Sequence, residues 1–393
     1  MPNEVILLVG GNPLPNYVAA RALRCTHGID KAHLLYTEEV EEEKNNLLKC
    51  LSHDGFSFSE PSIIDAGDAS EISRACENIC GDSHLHYTGG TNTMAVHVHK
   101  KWMCRGGQPD RASYLFAKTD QLIFDDGTKK KIPSSIQLDL KTLADLHGLT
   151  DAAPSSSSYT MDPQVPNDAN VIAESVFCNP NLAKTMYEKV ERPKLKNNEV
   201  KTQSDGDFNK NPVYPSKDWG LILSQTDPIP HSCWTTNQGK SWRKFLRGEW
   251  LEEWVYQKIK DIKWPKGINP PYLYVGIKPK IKGREFELDV VAIRGHHLYV
   301  VSCTTDTTSY LCKSKLFEVA MRARRLGGDL ARSALVCLAK RSVVDNLQKD
   351  VDSLSESSSR TPRVFGLDSV NGWMGGRRSD PNLTSLCNWL TDR

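Results

Sequence analysis

The sequence predicts two α/β domains in series: a doubly wound parallel sheet first, then a second α/β unit at the carboxyl end. Three observations carry that expectation. Over residues 1–150, short apolar runs alternate with helix-like segments, as crossovers between parallel strands require. Residues 151–238 turn polar and rich in Pro, Ser, Asn and Lys, with little apolar periodicity. From residue 239 the order becomes helix, three consecutive strands, helix, strand.

The elements of the first region read in order. EVILLVGG (4–11) is a buried strand by composition, followed by a turn and the helical PNYVAARALR. AHLLYT (32–37) is a second strand, and EEVEEEKNNLLKCL opens a helix whose amino end suits its carboxylates. PSIIDAGD, EISRACENIC and HLHYTGGTN continue the alternation. ASYLFAKTD, QLIFDDG and KIPSSIQLDL are strand-like runs joined as hairpins, and they close the domain near residue 150.

Within the 151–238 linker, VIAESVFCNPNLAKTMYEKV forms one or two short helices, and the polar runs on either side read as a disordered insertion. In the third region KFLRGEWLEEWVYQKIKDI is a helix whose buried side is marked by Phe245, Trp250, Leu251, Trp254, Val255 and Ile259. YLYVGIKPKI, FELDVVAIRG and HHLYVVSCTT follow as strands. SYLCKSKLFEVAMRARRLGG is a helix stopped by Gly327-Gly328, then ARSALVCLAK a strand and VVDNLQKDVDSL a helix.

Bulk properties limit the function. The 50 basic and 48 acidic residues nearly cancel, so any nucleic-acid surface is local. The first apolar run is too short for a signal peptide, and no stretch is long enough to span a membrane. Eleven cysteines without a paired framework read as reduced thiols in a cytoplasmic compartment, with no zinc-type spacing.

Two glycine loops carry the chemistry of the first domain. GGNPLPN (10–16) and TGGTNTM (88–94) each follow a strand and lead into a helix, where backbone N–H groups face the ligand crevice of a parallel sheet. Such loops suit phosphates or a nucleotide, though the same residues also make ligand-free turns. VGGNPLPN followed some eighty residues on by YTGGTNTM resembles the CARF sensor domains of CRISPR-associated proteins. The resemblance implies a Rossmann-like domain that forms a homodimer and binds a cyclic oligoadenylate. It places Gly11, Asn12, Pro13, Thr88, Gly89, Gly90, Thr91, Asn92 and Met94 at the ligand, Asn92 standing where many members have lysine. The neighbouring His84, His86, His97 and His99 read as strand or helix surface.

Metal-dependent phosphodiester hydrolysis needs carboxylates for Mg2+ or Mn2+ and a basic group near the attacking water. Glu252 and Glu253 lie on the Trp-rich helix, and Asp289 lies in FELDVV with Glu287 on the same strand face. A strand-end ion pair of Asp289 with Arg284 or Arg294 is the plainer reading. The next strand places Ser302 and Thr304 where an acid and a lysine belong, and neutral hydroxyls cannot supply a metal's charge. Lys315, Glu318 and Arg322 share one face of the following helix, either as substitutes or as an ordinary ion-paired face.

Together GEWLEEWVYQKI, ELDVVAIRG, SCTT and KLFEVAMRARRLGGD resemble the PD-(D/E)xK, restriction-endonuclease-like domain that follows the sensor in one branch of that family. The resemblance implies an effector-activated nuclease that cuts single-stranded DNA or RNA, or nicks DNA. The resemblance carries Glu252 and Asp289 over as metal ligands; Ser302 and Thr304 hold the remaining catalytic positions without their charges, and Lys315 and Glu318 are the candidate substitutes from the helix. A catalytically inactive nucleotide sensor or nucleic-acid-binding protein that keeps the fold is the alternative, and a purely structural dimer is a second.

Overall fold

The computed structural model describes residues 4–152, 165–191, 244–354, 361–375 and 381–391. The amino-terminal sheet has the strand order β3-β2-β1-β5-β6-β7-β8, with β4 also paired to β2. Its strands are β1 (Glu4–Leu8), β2 (Lys31–Tyr36), β3 (Ser57–Phe58), β4 (Ser62–Ile63), β5 (His84–His86), β6 (Ala112–Phe116), β7 (Gln121–Phe124) and β8 (Lys129–Lys131). Pairing is parallel from β3 and β4 through β6 and antiparallel from β6 to β8. Helices α1 (Leu14–His27), α2 (Glu41–His53), α3 (Ala69–Ala75) and α4 (Asn92–Cys104) supply the crossovers, and α5 (Leu140–Leu146) follows the hairpins.

The second sheet has the order β15-β14-β13-β12-β9. β9 (Tyr272–Ile277), β12 (Leu288–Arg294) and β13 (His297–Thr304) run antiparallel; β14 (Ala331–Cys337) and β15 (Arg363–Phe365) run parallel to β13. A small ribbon, β10 (Lys280–Ile281) with β11 (Arg284–Glu285), lies beside it. Helices α6 (Val165–Cys178), α7 (Asn181–Glu191), α8 (Trp250–Lys260), α9 (Ser309–Gly327), α10 (Arg341–Leu354), α11 (Leu367–Met374) and α12 (Thr384–Thr391) complete the unit. Among the described residues no helix is long and apolar enough to cross a membrane.

Four local expectations change. KIPSSIQLDL is a loop rather than a strand: β8 ends at Lys131 and α5 begins at Leu140. Pro133 has no N–H for a ladder, and its carbonyl instead closes a turn onto the Ile136 N–H at 3.0 Å. The helix expected from Lys244 is broken at Gly248, whose φ of +152° is closed to L side chains, so regular helix begins at Trp250. β12 begins at Leu288, leaving Glu287 just outside the strand. His84 and His86, expected at the surface, are buried in the central strand β5. The polar runs at 153–164 and 192–243 lie outside the described residues.

Packing explains how the sheets are joined. Along β12 and β13 side chains alternate between faces. Val291, Ile293, Leu298 and Val300 share one core with Val319, Ala323 and Leu326 of α9, and also with Leu14, Val18 and Leu23 of α1 and Leu143 of α5. Val290, Ala292, Tyr299 and Val301 face the other way, into a core with Trp250, Trp254, Trp373, Ile172 and Phe177. In that core Trp254 and Trp373 stack with centroids 6.3 Å apart, and Phe177 meets Trp254 edge-on at 4.8 Å. Helices α6 and α7, read in the sequence as part of a linker, pack there too, through Ala169, Ala173, Ala183 and Met186.

Polar bonds bind the halves as well. Thr150 and Lys280 exchange two backbone bonds of 3.0 and 2.8 Å, and the Leu138 N–H donates to the Gly295 carbonyl at 2.8 Å. Because one apolar core serves both sheets, they are expected to unfold together. Leu298→Ala should destabilise by about 2–5 kcal/mol and move a single calorimetric transition. Two transitions, only one of them shifted, would show that the halves fold separately.

Candidate active site

The β12–β13 register sets Asp289 opposite Ser302, since Val290 pairs with Val301. The Ser302 hydroxyl donates to Asp289 Oδ2 at 3.0 Å, and the Cys303 N–H donates to the same oxygen at 2.7 Å. Asp289 is thus held by its neighbouring strand, while the Arg294 guanidinium bonds to the Leu390 carbonyl and the Tyr299 hydroxyl. Burial raises the Asp289 carboxyl to about 6, against the pull of those two donors, and Glu287 adds to the rise.

Glu252 and Glu253 separate on the helix. Burial and the nearby Asp289, Glu249 and Glu287 push Glu252 well above the usual carboxylate range. Glu253 instead accepts a 2.7 Å bond from the Gln257 amide. Asp289, Glu249 and Glu287 thus form one electrostatic group with Glu252, beside the start of β12.

Cations border it on two sides. Lys278, just beyond β9, pairs with Glu287 at 2.7 Å. Burial opposes the Lys278 charge, yet Glu287, Glu249 and Glu252 hold its ammonium above the ordinary value. From α9, Lys315 lies close enough to Asp289 to favour its ionised form. Lys315 also pairs with Glu318 at 3.4 Å; Glu318 in turn pairs with Arg322, whose guanidinium donates to the Glu287 carbonyl at 2.6 Å. The α9 face thus points at the acidic cluster, as a chain of ion pairs.

Thr304 lies further along β13, and its hydroxyl accepts the Asp306 N–H at 3.2 Å. Burial, reinforced by Asp289 and Glu252, drives the Cys303 thiol well up, so it is an unreactive neighbour. The sequence reading missed Glu249 and Lys278. Glu249 stands three residues before Glu252 in GEWLEE, a helical neighbour by spacing. Lys278 carries no such mark, because only the β9–β12 pairing brings it beside Glu287.

In the first domain the two glycine loops touch. A Cβ on Gly89 would come within 2.0 Å of the Leu8 carbonyl, and one on Gly10 within 2.8 Å of the Gly90 N–H. Gly90 has a φ of +73°. Asn16 ties the first loop by donating to the Leu8 carbonyl at 2.7 Å. Thr91 caps α4, its hydroxyl accepting the Met94 N–H at 3.2 Å, while the Met94 side chain is buried in the core beneath. The Thr88 hydroxyl accepts the Leu115 N–H at 2.5 Å. Pro13 is buried at the start of α1, whereas Gly11, Thr91 and Asn92 are exposed.

The first loop also reaches the second domain. Asn12 accepts the Leu14 N–H at 3.0 Å through Oδ1, and its amide nitrogen lies 2.8 Å from where a Cβ on Gly328 would stand. Gly328 ends α9, the helix that carries Lys315 and Glu318.

The chain thus joins a parallel-sheet domain with paired glycine loops to a mixed-sheet domain that carries partly buried carboxylates, through a shared core. Residues 239–357 match the family model of the Card1-like endonuclease domain. The fold is similar to that of Can2 from Sulfobacillus thermosulfidooxidans, solved in complex with cyclic tetra-adenylate: TM-score 0.62, 14% identity, 92% of this chain and 95% of that one covered. It is also similar to protein VC1899 from Vibrio cholerae, with a TM-score of 0.61, 14% identity, and coverage of 93% and 94%. No curated protein matches the chain in sequence. The endonuclease-domain part of the resemblance read from the sequence is thus matched over residues 239–357, and the two solved structures share the fold of nearly the whole chain.

Burial of Asp289 has a measurable consequence. Its folded value of about 6 exceeds the roughly 3.9 of an exposed aspartate. The stability this contributes is full below about pH 4 and lost as pH rises through about 6. In metal-free protein Asp289→Asn, which cannot ionise, should gain roughly 2 kcal/mol on wild type between about pH 4 and about pH 8. Thermal unfolding at both pH values checks this; a pH-independent difference would mean that Asp289 titrates normally.

Proposed function

We propose that this protein is a metal-dependent endonuclease acting on nucleic acid, switched on when a cyclic oligoadenylate binds the sensor loops of a homodimer. The observation that carries this reading is the acidic cluster. Asp289, Glu249 and Glu287 make the Glu252 charge more costly, Glu287 does the same for Asp289, and a bound dication would relieve that cost. An all-carboxylate donor set suits Mg2+ or Mn2+. When bound, such an ion supplies a Lewis acid for a phosphate oxygen and an activated water.

The chain's own residues set the geometry. Ser302 and the Cys303 N–H fix the Asp289 carboxylate, in the way that outer partners orient ligating groups. Lys315 stands on the α9 side to balance phosphate charge, with Glu318 as its anchor and as a further carboxylate. Substrate is single-stranded DNA or RNA, or duplex DNA that is nicked, and in a nearly neutral chain its attraction has to come from local charges such as Lys315. In the sensor, exposed Gly11, Thr91 and Asn92 and the amino ends of α1 and α4 offer N–H groups to the effector's phosphates. That Can2 was solved with cyclic tetra-adenylate supports this ligand class. The signal passes from Asn12 to Gly328 and along α9 to Lys315.

One observation favours an inactive sensor instead: Ser302 and Thr304 carry no charge, and both hydroxyls are engaged inside the protein. Cleavage of plasmid, single-stranded DNA and RNA with Mn2+ and cyclic tetra- or hexa-adenylate separates the two. Cleavage is expected in wild type, abolished in Asp289→Ala and lowered about 10–100-fold in Ser302→Ala. Cutting that survives Asp289→Ala would sink the site, and no cutting by wild type under any effector would favour the inactive reading. The effector at about 100 times its Kd should stabilise the protein by roughly 2.7 kcal/mol. Gly328→Ala, which sets a methyl against Asn12, should keep that shift and lose activation.

A further inference from the structure

We infer that Asp120, His296 and His297 form a zinc-class metal site that pins the sensor to the endonuclease domain. Asp120 sits in the β6–β7 turn of the first sheet, while His296 lies in the β12–β13 turn of the second and His297 opens β13. His297 Nε2 lies 3.2 Å from Asp120 Oδ1, and His296 Nε2 approaches the same oxygen more closely. The three ligand atoms all fall within 4.8 Å of one another.

The donor set is the deciding chemistry. Two imidazole nitrogens and one carboxylate oxygen suit Zn2+ or Co2+, whereas Mg2+ and Mn2+ favour oxygen. Both histidines are 5% exposed, so their rings are already fixed. The Asp120 side chain is 42% exposed, which leaves a fourth position open to water. The backbone is equally committed. Asp120 holds a φ of +59°, and its carbonyl accepts the Ile132 N–H at 3.1 Å; Gly295, beside the histidines, is docked through the Leu138 bond.

The cluster lies at the far end of the hairpin from Asp289. Ser302 lies five positions along β13 from His297, about 17 Å of strand. The two sites are therefore distinct and can be emptied separately. A Zn2+ or Co2+ ion here would fix the hairpin that carries Asp289 against the sensor.

The test is Co2+ binding to chelator-stripped, full-length protein, read by the intense visible absorption of four-coordinate cobalt. One equivalent should give that absorption in wild type and in the Glu252→Gln/Asp289→Asn double variant, and His296→Gln should abolish it. Zn2+ should displace the cobalt, and a large excess of Mg2+ should not. Absence of the absorption in wild type would show a hydrogen-bonded latch only. Its loss in the double variant, or its survival in His296→Gln, would place the metal elsewhere. The wild-type and double-variant results decide the matter even if His296→Gln fails to fold.

Discussion

Both faces of the β12–β13 hairpin are buried, each against a different partner, and the rest of the structure depends on that. One face completes the core under α1, α5 and α9; the other completes the tryptophan-lined core under α6, α8 and α11. A strand buried on both sides has its register strongly specified, because a slip of one residue would exchange the two faces. That register sets Asp289 beside Ser302 at one end and the paired histidines beside Asp120 at the other.

The acidic edge is a local conflict that the fold tolerates. Carboxylates crowded out of water repel one another, and the partial relief comes from fixed dipoles: a hydroxyl and an amide on one oxygen of Asp289. Lys278 is bound to Glu287, and Lys315 to Glu318, so each nearby cation already has a carboxylate partner. The second strand itself supplies no cation, since Ser302 and Thr304 are neutral. Here the positive charge comes from a helix that itself ends on the sensor loop.

Much of this was legible in the sequence, and the remainder has a physical reason. Alternating apolar strands and helices announced the parallel sheet, and glycines after β1 and β5 marked the loops, because each has a local signature. Glu252 and Asp289 were legible because the apolar pattern fixed the elements that carry them. Lys278 and Asp120 were not, since each meets its partners only through tertiary pairing across long sequence separations. His84 and His86 misled because alternation says which residues share a face and not whether that face is covered. KIPSSIQLDL misled because its buried Ile136 and Leu138 imitate a strand that Pro133 prevents. Apolar residues stand on both faces of β12 and β13, but no local pattern says that half of their covering comes from the first domain.

The shared core bears on how such a protein can be re-engineered. In many two-domain receptors the ligand module is exchanged by cutting at a loose tether and grafting a replacement. Here the cut would pass through packed Leu14, Val18 and Leu143 on one side and Ile293, Leu298 and Leu326 on the other. A transplanted sensor would expose that apolar seam unless its own surface were redesigned to fit. Replacing the first domain is therefore a redesign of that seam rather than a graft.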